Sequence, residues 1–347
     1  MKSNSGFDLV VVMPLYGFKT DKERIPLSGG FRIEKYDFDQ IDRMLAEPGD
    51  SSFRSFLTLF PPDFLVWVEN QVHKSTGVTE NGIEDPSESL GRLMVQRFGQ
   101  AIDAAENLLI SLRLFRPGRL ERGPLGILMS RVGREGRTYI EAQVEGTRPL
   151  SWMAVEGLPG RSQRADQLEL KEELVPSFEK FRHKLGRFLQ DQKLRKSFAV
   201  PLSYFNKSHS NDWAAGQLLD LVVSLESILL QEQDELTFRL ALRVANLLGR
   251  DEERRKQIYR EIKGFYDVRS QVIHGDVLKD KQELLLNEVG KLREYVRQLL
   301  LAMISLALKK KFDSDFYRSL DEMCLDDATR KKIQADASGL LHIDPAN

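Results

Sequence analysis

Tyr266-Asp267-Val268-Arg269-Ser270-Gln271-Val272-Ile273-His274-Gly275 decides how the second half of this chain reads. It closes a segment, 252–274, whose apolar residues recur at helical spacing, and Gly275 stands where a C-terminal cap belongs. Setting Arg269 at zero and advancing about 100° per residue puts Ile258, Ile262, Phe265, Tyr266, Val272 and Ile273 within about 60° of it. Arg269 is thus expected in the middle of an apolar stripe, where a charge must be paired. His274 falls about 140° away on the same wheel. The two meet only through the length of the arginine and a frayed last turn, or through a second chain. A histidine at a helix C-terminus is favoured as a cation by the helix dipole, which suits proton exchange near neutral pH. By itself it reads equally as a solvated cap residue. Asp267 and Ser270 lie nearer the His274 side. They read either as partners that set its tautomer or as ordinary surface residues.

A neighbouring segment has the complementary oddity. In 213–231 the stripe is Leu218, Leu219, Val222, Leu225 and Leu229, and Glu226 lies within about 40° of Val222 on the wheel. One inward carboxylate and one inward guanidinium fit a buried ion pair that sets helix register. They fit equally a cleft in which Arg269 binds phosphate and Glu226 orients it.

Working outward, further helices are expected near 176–192, 236–248 and 281–310. Asp212 is placed to cap 213–231 and Asp251 to cap 252–274, with Gly249 closing 236–248. The last long helix carries Leu285, Val289, Leu292, Val296, Leu299, Met303 and Leu306 at four-three spacing, a bundle core or a dimer seam. Residues 311–347 form a tail with one more short helix. Before about residue 170 the pattern is mixed. Strands are expected at 7–15, 31–36 and 64–70, a helix at 89–115, and a hairpin of 125–132 and 138–144 around Gly133–Gly136. The polar stretch 158–167 marks the boundary. The expected architecture is an α+β N-terminal domain over 1–170, an all-α bundle over 171–310 and a helical tail, mainly α overall.

Composition narrows the function. The net charge of −1 over 347 residues gives no global basic field, so any nucleic-acid contact is local. One cysteine, Cys324, excludes a disulfide framework, and five scattered histidines lack ligand spacing; no metal or other cofactor is expected. No stretch reaches the apolar length of a membrane span, and a cytoplasmic location is expected. Arg239, Arg243, Arg255 and Lys263, among further cations of 236–263, are candidate RNA contacts. Their interleaved acids, Asp251, Glu252, Glu253 and Glu261, read first as a solvated face.

Four stretches in order resemble the HEPN superfamily, and within it the Apea-like group. They are Leu218–Leu230 with its internal glutamate, Thr237–Gly249, Phe265–Gly275 with its Arg-x4-His ending a helix before glycine, and the long apolar helix. The resemblance covers roughly 205–308. It implies a dimerising bundle in which two Arg-x4-His motifs meet across a cleft and cleave RNA without metal. Arg269 and His274 would be catalytic, supported by Glu226, Tyr266, Asp267 and Ser270. It further implies a role in phage defence or as a toxin, with a trigger or regulatory partner at the N-terminal domain. Ser270 departs from the Asn, Asp or His that commonly follows the arginine. That leaves a second reading, a catalytically silent module that binds RNA, nucleotide or a partner protein.

Overall fold

A computed structural model describes residues 7–44, 52–72, 86–133, 136–144, 167–230, 235–275, 287–311 and 316–340. The chain is mainly helical, with an antiparallel sheet near its N-terminus. It divides into two units, Met1–Leu109 with Leu120–Glu172, and Ile110–Arg119 with Glu173–Asn347.

The first unit is built on β1 (Phe7–Tyr16). Its run Val10-Val11-Val12-Met13 is uninterrupted because both faces are covered, and all four residues are fully buried. It pairs on one side with β5 (Phe64–Val72), Val11 opposite Val68, and on the other with β7 (Gly126–Gly133), Val11 opposite Ile127. Strands β3 (Arg24–Leu27) and β4 (Phe31–Lys35) extend the sheet beyond β5, and β8 (Gly136–Val144) extends it beyond β7, giving the order β3-β4-β5-β1-β7-β8. The two-residue strand β6 (Glu121–Arg122) pairs with the end of β1. A short parallel pair joins β2 (Phe18–Lys19) to β9 (Leu168–Glu169). Helices α1 (Phe38–Met44) and α2 (Ser52–Leu59) bring Ile41, Phe53 and Phe56 into one cluster with Val10, Val12 and Trp67. A Cβ at Gly126 would stand 2.7 Å from the Phe53 ring, so only glycine lets β7 pass there. The strands expected from sequence and the 133–136 hairpin are all present. The residues of the 158–167 boundary lie outside the described ones.

Helix α3 (Pro86–Phe115) begins in the first unit, and its last turns, from Ile110, belong to the second. Ala101, Ala105, Leu108 and Leu112, spaced by four and three, are buried along one face of it. The second unit continues with α4 (Val175–Gln190), α5 (Gln192–Ser197), α6 (Ala199–Ser210), α7 (Ala214–Leu229), α8 (Leu236–Leu248), α9 (Glu252–His274), α10 (Val289–Leu308), α11 (Phe316–Glu322) and α12 (Asp327–Ala337). Helix α10 is apolar nearly all round and central: α6, α7, α8 and α12 pack on it. Its stripe residues Leu292, Val296, Leu299, Met303 and Leu306 fill the chain's own core. Leu285 and the expected start of this helix fall outside the described residues.

Buried arginines tie the bundle. Arg297 forks onto Glu294, 2.7 Å to each oxygen, and also donates to the Leu114 carbonyl at 2.7 Å, so it satisfies an open end of α3. Arg243 grips both oxygens of Asp321 on α11 at 2.9 and 3.0 Å and donates to the Leu229 carbonyl at the end of α7. The Arg243–Asp321 and Arg297–Leu114 contacts join residues 78 and 183 apart in the chain.

Several expectations are corrected. Helices α5 and α6 fill 192–210, where none is expected from the pattern. Pro201 looks like a breaker but sits in the first turn of α6, where a missing N–H costs little. Asp212 does not cap α7; its carboxylate accepts from Arg119 at 3.0 Å. Asp251 does cap α9, accepting from the Arg254 amide at 2.8 Å. Gly275 ends α9 in the left-handed region at φ 72°. Gly249 ends α8 in an extended conformation, and it is glycine because a Cβ would meet the Arg255 side chain at 2.5 Å and the Ala245 carbonyl at 2.8 Å. The tail folds into two helices rather than one. Gln334 of α12 donates to the Asn246 and Gly249 carbonyls and so closes the end of α8.

Candidate active site

The buried face of α9 runs through Ile258, Ile262, Phe265, Tyr266 and Val268 and stops there. Val272 is half-buried, while Ile273 is 51% exposed and His274 is exposed. Arg269 therefore stands at the lip of the stripe rather than in its middle, with 27% of its side chain exposed. The wheel assumes a partner along the whole helix, and no residue of the last turn of α9 is fully buried.

Helix α7 packs against α9 and supplies Glu226. The Arg269 Nη2 to Glu226 Oε2 distance is 3.7 Å, a charge contact beyond hydrogen-bond range. Burial, followed by the neighbouring Glu226 carboxylate, pushes the Tyr266 phenol above its ordinary pKa. The Arg269 guanidinium carbon lies 5.4 Å from the centre of the Tyr266 ring, within cation–π range. Among the described residues Arg269 makes no hydrogen bond, and its Nε is buried without a partner. A buried donor left so costs roughly 1–3 kcal/mol. Arginine has five N–H donors, and here one loose carboxylate and one ring face are all that hold them. Chemically this is a cation presented to an anion.

His274 makes no hydrogen bond or ion pair with any described residue, and none joins it to Arg269, Asp267 or Ser270. Asp267 is exposed and Ser270 half-buried. One chain brings together Arg269, Glu226 and Tyr266; it leaves His274 apart at the helix end.

The other cations divide. Arg243 does not stand on the surface: it is 1% exposed and engaged by Asp321, which also takes Arg239 at 3.5 Å. Lys256 is held by Glu252 at 2.6 Å and Glu253 at 3.3 Å. Arg255 is half-buried over Gly249, and Lys263 is exposed. Glu261, expected on a solvated face, is instead a hub between α9 and α10. It accepts from Lys291 at 2.6 Å, from Gln257 at 3.0 Å and from the Tyr295 hydroxyl. Burial pulls the Glu261 carboxyl up, and these hydrogen bonds outweigh it and hold it below the usual carboxylate range. The hub fixes α9 eight residues before Arg269, about 12 Å along the axis. Lys291 and Tyr295 are 30 and 34 residues away, so no local pattern announces them.

His209 is fully buried at the end of α6. Burial, then the charges of Arg113, Arg293 and Arg119, hold its imidazole well below the ordinary pKa, so it stays neutral. The first unit carries a separate open cleft of 760 Å³ lined by Lys19, Asp21, Lys22 and Lys35. Three of its charges are already engaged, Asp21 by the Glu172 amide, Lys22 by the Glu172 carboxylate and Lys19 by Glu169 at 3.8 Å. No group of histidine, cysteine and acidic side chains able to hold a metal ion occurs among the described residues, and no helix there is long and apolar enough to cross a membrane. Comparison with family models, known proteins and solved structures finds no match to this chain.

Proposed function

We propose that the second unit is a HEPN-type bundle acting as a metal-independent endoribonuclease, with Arg269 as the phosphate ligand and His274 as the proton-transfer group. The observation that carries this reading is the state of Arg269: a guanidinium at the lip of α9, with no hydrogen bond to a described residue and one buried N–H unsatisfied. An RNA phosphate supplies the missing acceptors, and charge developing on phosphorus strengthens those bonds. In the reaction the 2′-oxygen bonds to the adjacent phosphorus while the bond to the 5′-oxygen breaks. One imidazole takes the 2′-hydroxyl proton, and a second, as imidazolium, gives a proton to the leaving 5′-oxygen. One chain has one histidine at the end of α9, so two copies of His274 supply base and acid, and the working species is a homodimer. The product is a 2′,3′-cyclic phosphate. The first unit senses the trigger or regulatory partner, in keeping with a defence or toxin role.

The test is cleavage of single-stranded RNA by purified protein in EDTA, against Arg269→Ala and His274→Ala. Cleavage lost in both variants is expected; activity equal in all three proteins removes the reading. A second reading has its own observation. His274 has no partner among the described residues and Ser270 follows the arginine, which favours a module that binds RNA or nucleotide phosphate without cleaving it. That module binds RNA through Arg269 yet leaves it intact, and the same experiment separates the two.

A further inference from the structure

Helix α9 carries a second face beside the lip. On the wheel with Arg269 at zero, Tyr259, Lys263, Ser270 and His274 fall between about 80° and 140°. They form one stripe that climbs about 22 Å along the axis to the end of the helix. Lys263 and His274 are exposed on it, and Tyr259 and Ser270 are half-buried. Among the described residues neither Lys263 nor His274 makes an ion pair, whereas Lys256, nearer the start of α9, is held by Glu252 and Glu253. Helix α8 adds an aromatic ring to the start of the stripe. Phe238 stands edge to face with Tyr259, ring centres 6.3 Å apart and planes at 76°, and it is 51% exposed. A lone exposed apolar ring is ordinary. A ring oriented by a second ring, one helical turn from an unengaged ammonium, is a platform beside a cation. Asp267, exposed, flanks the stripe at about 160° and offsets Lys263 in charge. The stripe thus has no strong field of its own, and a ligand held there needs contact as well as charge.

We propose that Phe238 and Tyr259 form a stacking subsite for an unpaired base of single-stranded RNA, with Lys263 on an adjoining phosphate, so that the strand runs along this stripe of α9 toward His274. This rests on the reading of RNA as the substrate. Every base has a π-face, so a ring platform accepts any of them, while a duplex hides those faces between neighbouring pairs. The subsite therefore selects single strands over duplex rather than one sequence over another. Tyr259 is the positioning residue, since its ring sets the orientation of the half-open Phe238 ring. Ser270 keeps the path between Lys263 and His274 free of a further negative charge.

The experiment measures binding of the full chain to a single RNA strand methylated at every 2′-oxygen, which lacks the attacking hydroxyl and stays whole. Phe238→Ala is expected to weaken binding about tenfold, within the range for one base–aromatic stack, and Phe238→Trp to restore it. On an abasic strand with the same phosphates, wild type and Phe238→Ala bind alike, which a merely structural loss would not give. Lys263→Gln lowers the slope of log affinity against log salt by about 0.7, the share of one single-strand phosphate. This arm stands even if Phe238→Ala does not fold. The inference is overturned by wild-type affinity in Phe238→Ala, by equal losses on the intact and abasic strands, by an unchanged salt slope in Lys263→Gln, or by no binding of the wild type to the strand. It is overturned too if sedimentation shows Phe238→Ala splitting a dimer that the wild type keeps, for the ring then seats a second copy of the chain. Cleavage of unmodified RNA in EDTA is read separately on the same proteins. Binding that depends on Phe238 without cleavage removes the ribonuclease and keeps the subsite. Cleavage with an affinity indifferent to Phe238 removes the subsite and keeps the ribonuclease.

Discussion

Arg243 and Arg269 are both arginines on helices of one bundle, each opposite a carboxylate on another helix. Arg243 is 1% exposed and spends its donors on both oxygens of Asp321 and on the Leu229 carbonyl. Arg269 has a 3.7 Å contact to Glu226, the ring of Tyr266, and an Nε with no acceptor. The first is saturated by the fold, and binding anything else would break the fold. The second is positioned by the fold and left unsaturated. The difference lies in what the neighbouring elements offer, since the residue type is the same; an arginine becomes a site where the protein withholds acceptors.

This contrast can be broken by mutation. The largest expected effect is Arg269→Ala in the cleavage assay, a loss of about 10²–10³ in rate, as for removal of a donor to a developing oxyanion. Its melting temperature moves little, because the pair it breaks is partly exposed and long. Arg243→Met is expected to do the reverse. It costs about 3 kcal/mol in chemical denaturation by stranding the buried Leu229 carbonyl and undoing the grip on Asp321, with cleavage per folded molecule retained. Equal stability losses in the two variants would erase the distinction.

A third measurement sharpens the saturated side. His209 has a folded pKa depressed from the ordinary 6.5. Below about pH 6.5 the unfolded chain takes up a proton that the folded chain refuses. Stability is therefore full above that pH and falls as pH drops, by at most about 1.4 kcal/mol per pH unit from this group. Denaturation curves between pH 7.5 and pH 5, chosen to span the ordinary value, should show that slope, and His209→Gln should flatten it. The smallest effect is Asp251→Ala at the far end of α9, about 1 kcal/mol of stability from a lost N-cap, with RNA cleavage unchanged. A change in cleavage there would mean that the lip senses the whole helix.

Features set within a few turns of chain were legible in the sequence. The α9 stripe, the Asp251 cap and the Gly275 end follow from residues at most four apart, and Glu226 opposite Arg269 follows from two wheels laid side by side. Long-range choices were not. The hub of Glu261 with Lys291 and Tyr295, and the clamp of Arg243 on Asp321, join segments 30 to 78 residues apart; nothing near either residue distinguishes them from surface charges. Pro201 hid α6 because the same proline breaks a helix interior and suits a first turn. Ile273 misled the wheel in the other direction: an apolar residue in phase with the stripe is 51% exposed, and this moved Arg269 from the core to the lip.

Residues 110–119 belong to the helical unit although the chain returns afterwards to finish the sheet. Arg119 ends that piece with bonds to the His209 and Asn211 carbonyls and to Asp212. The backbone thus crosses between the units three times: after 109, after 119 and after 172. A ribosome delivers the 110–119 piece long before the helices that will hold it. Cutting the gene at the apparent boundary near 170 would yield a helical fragment missing part of its own interior.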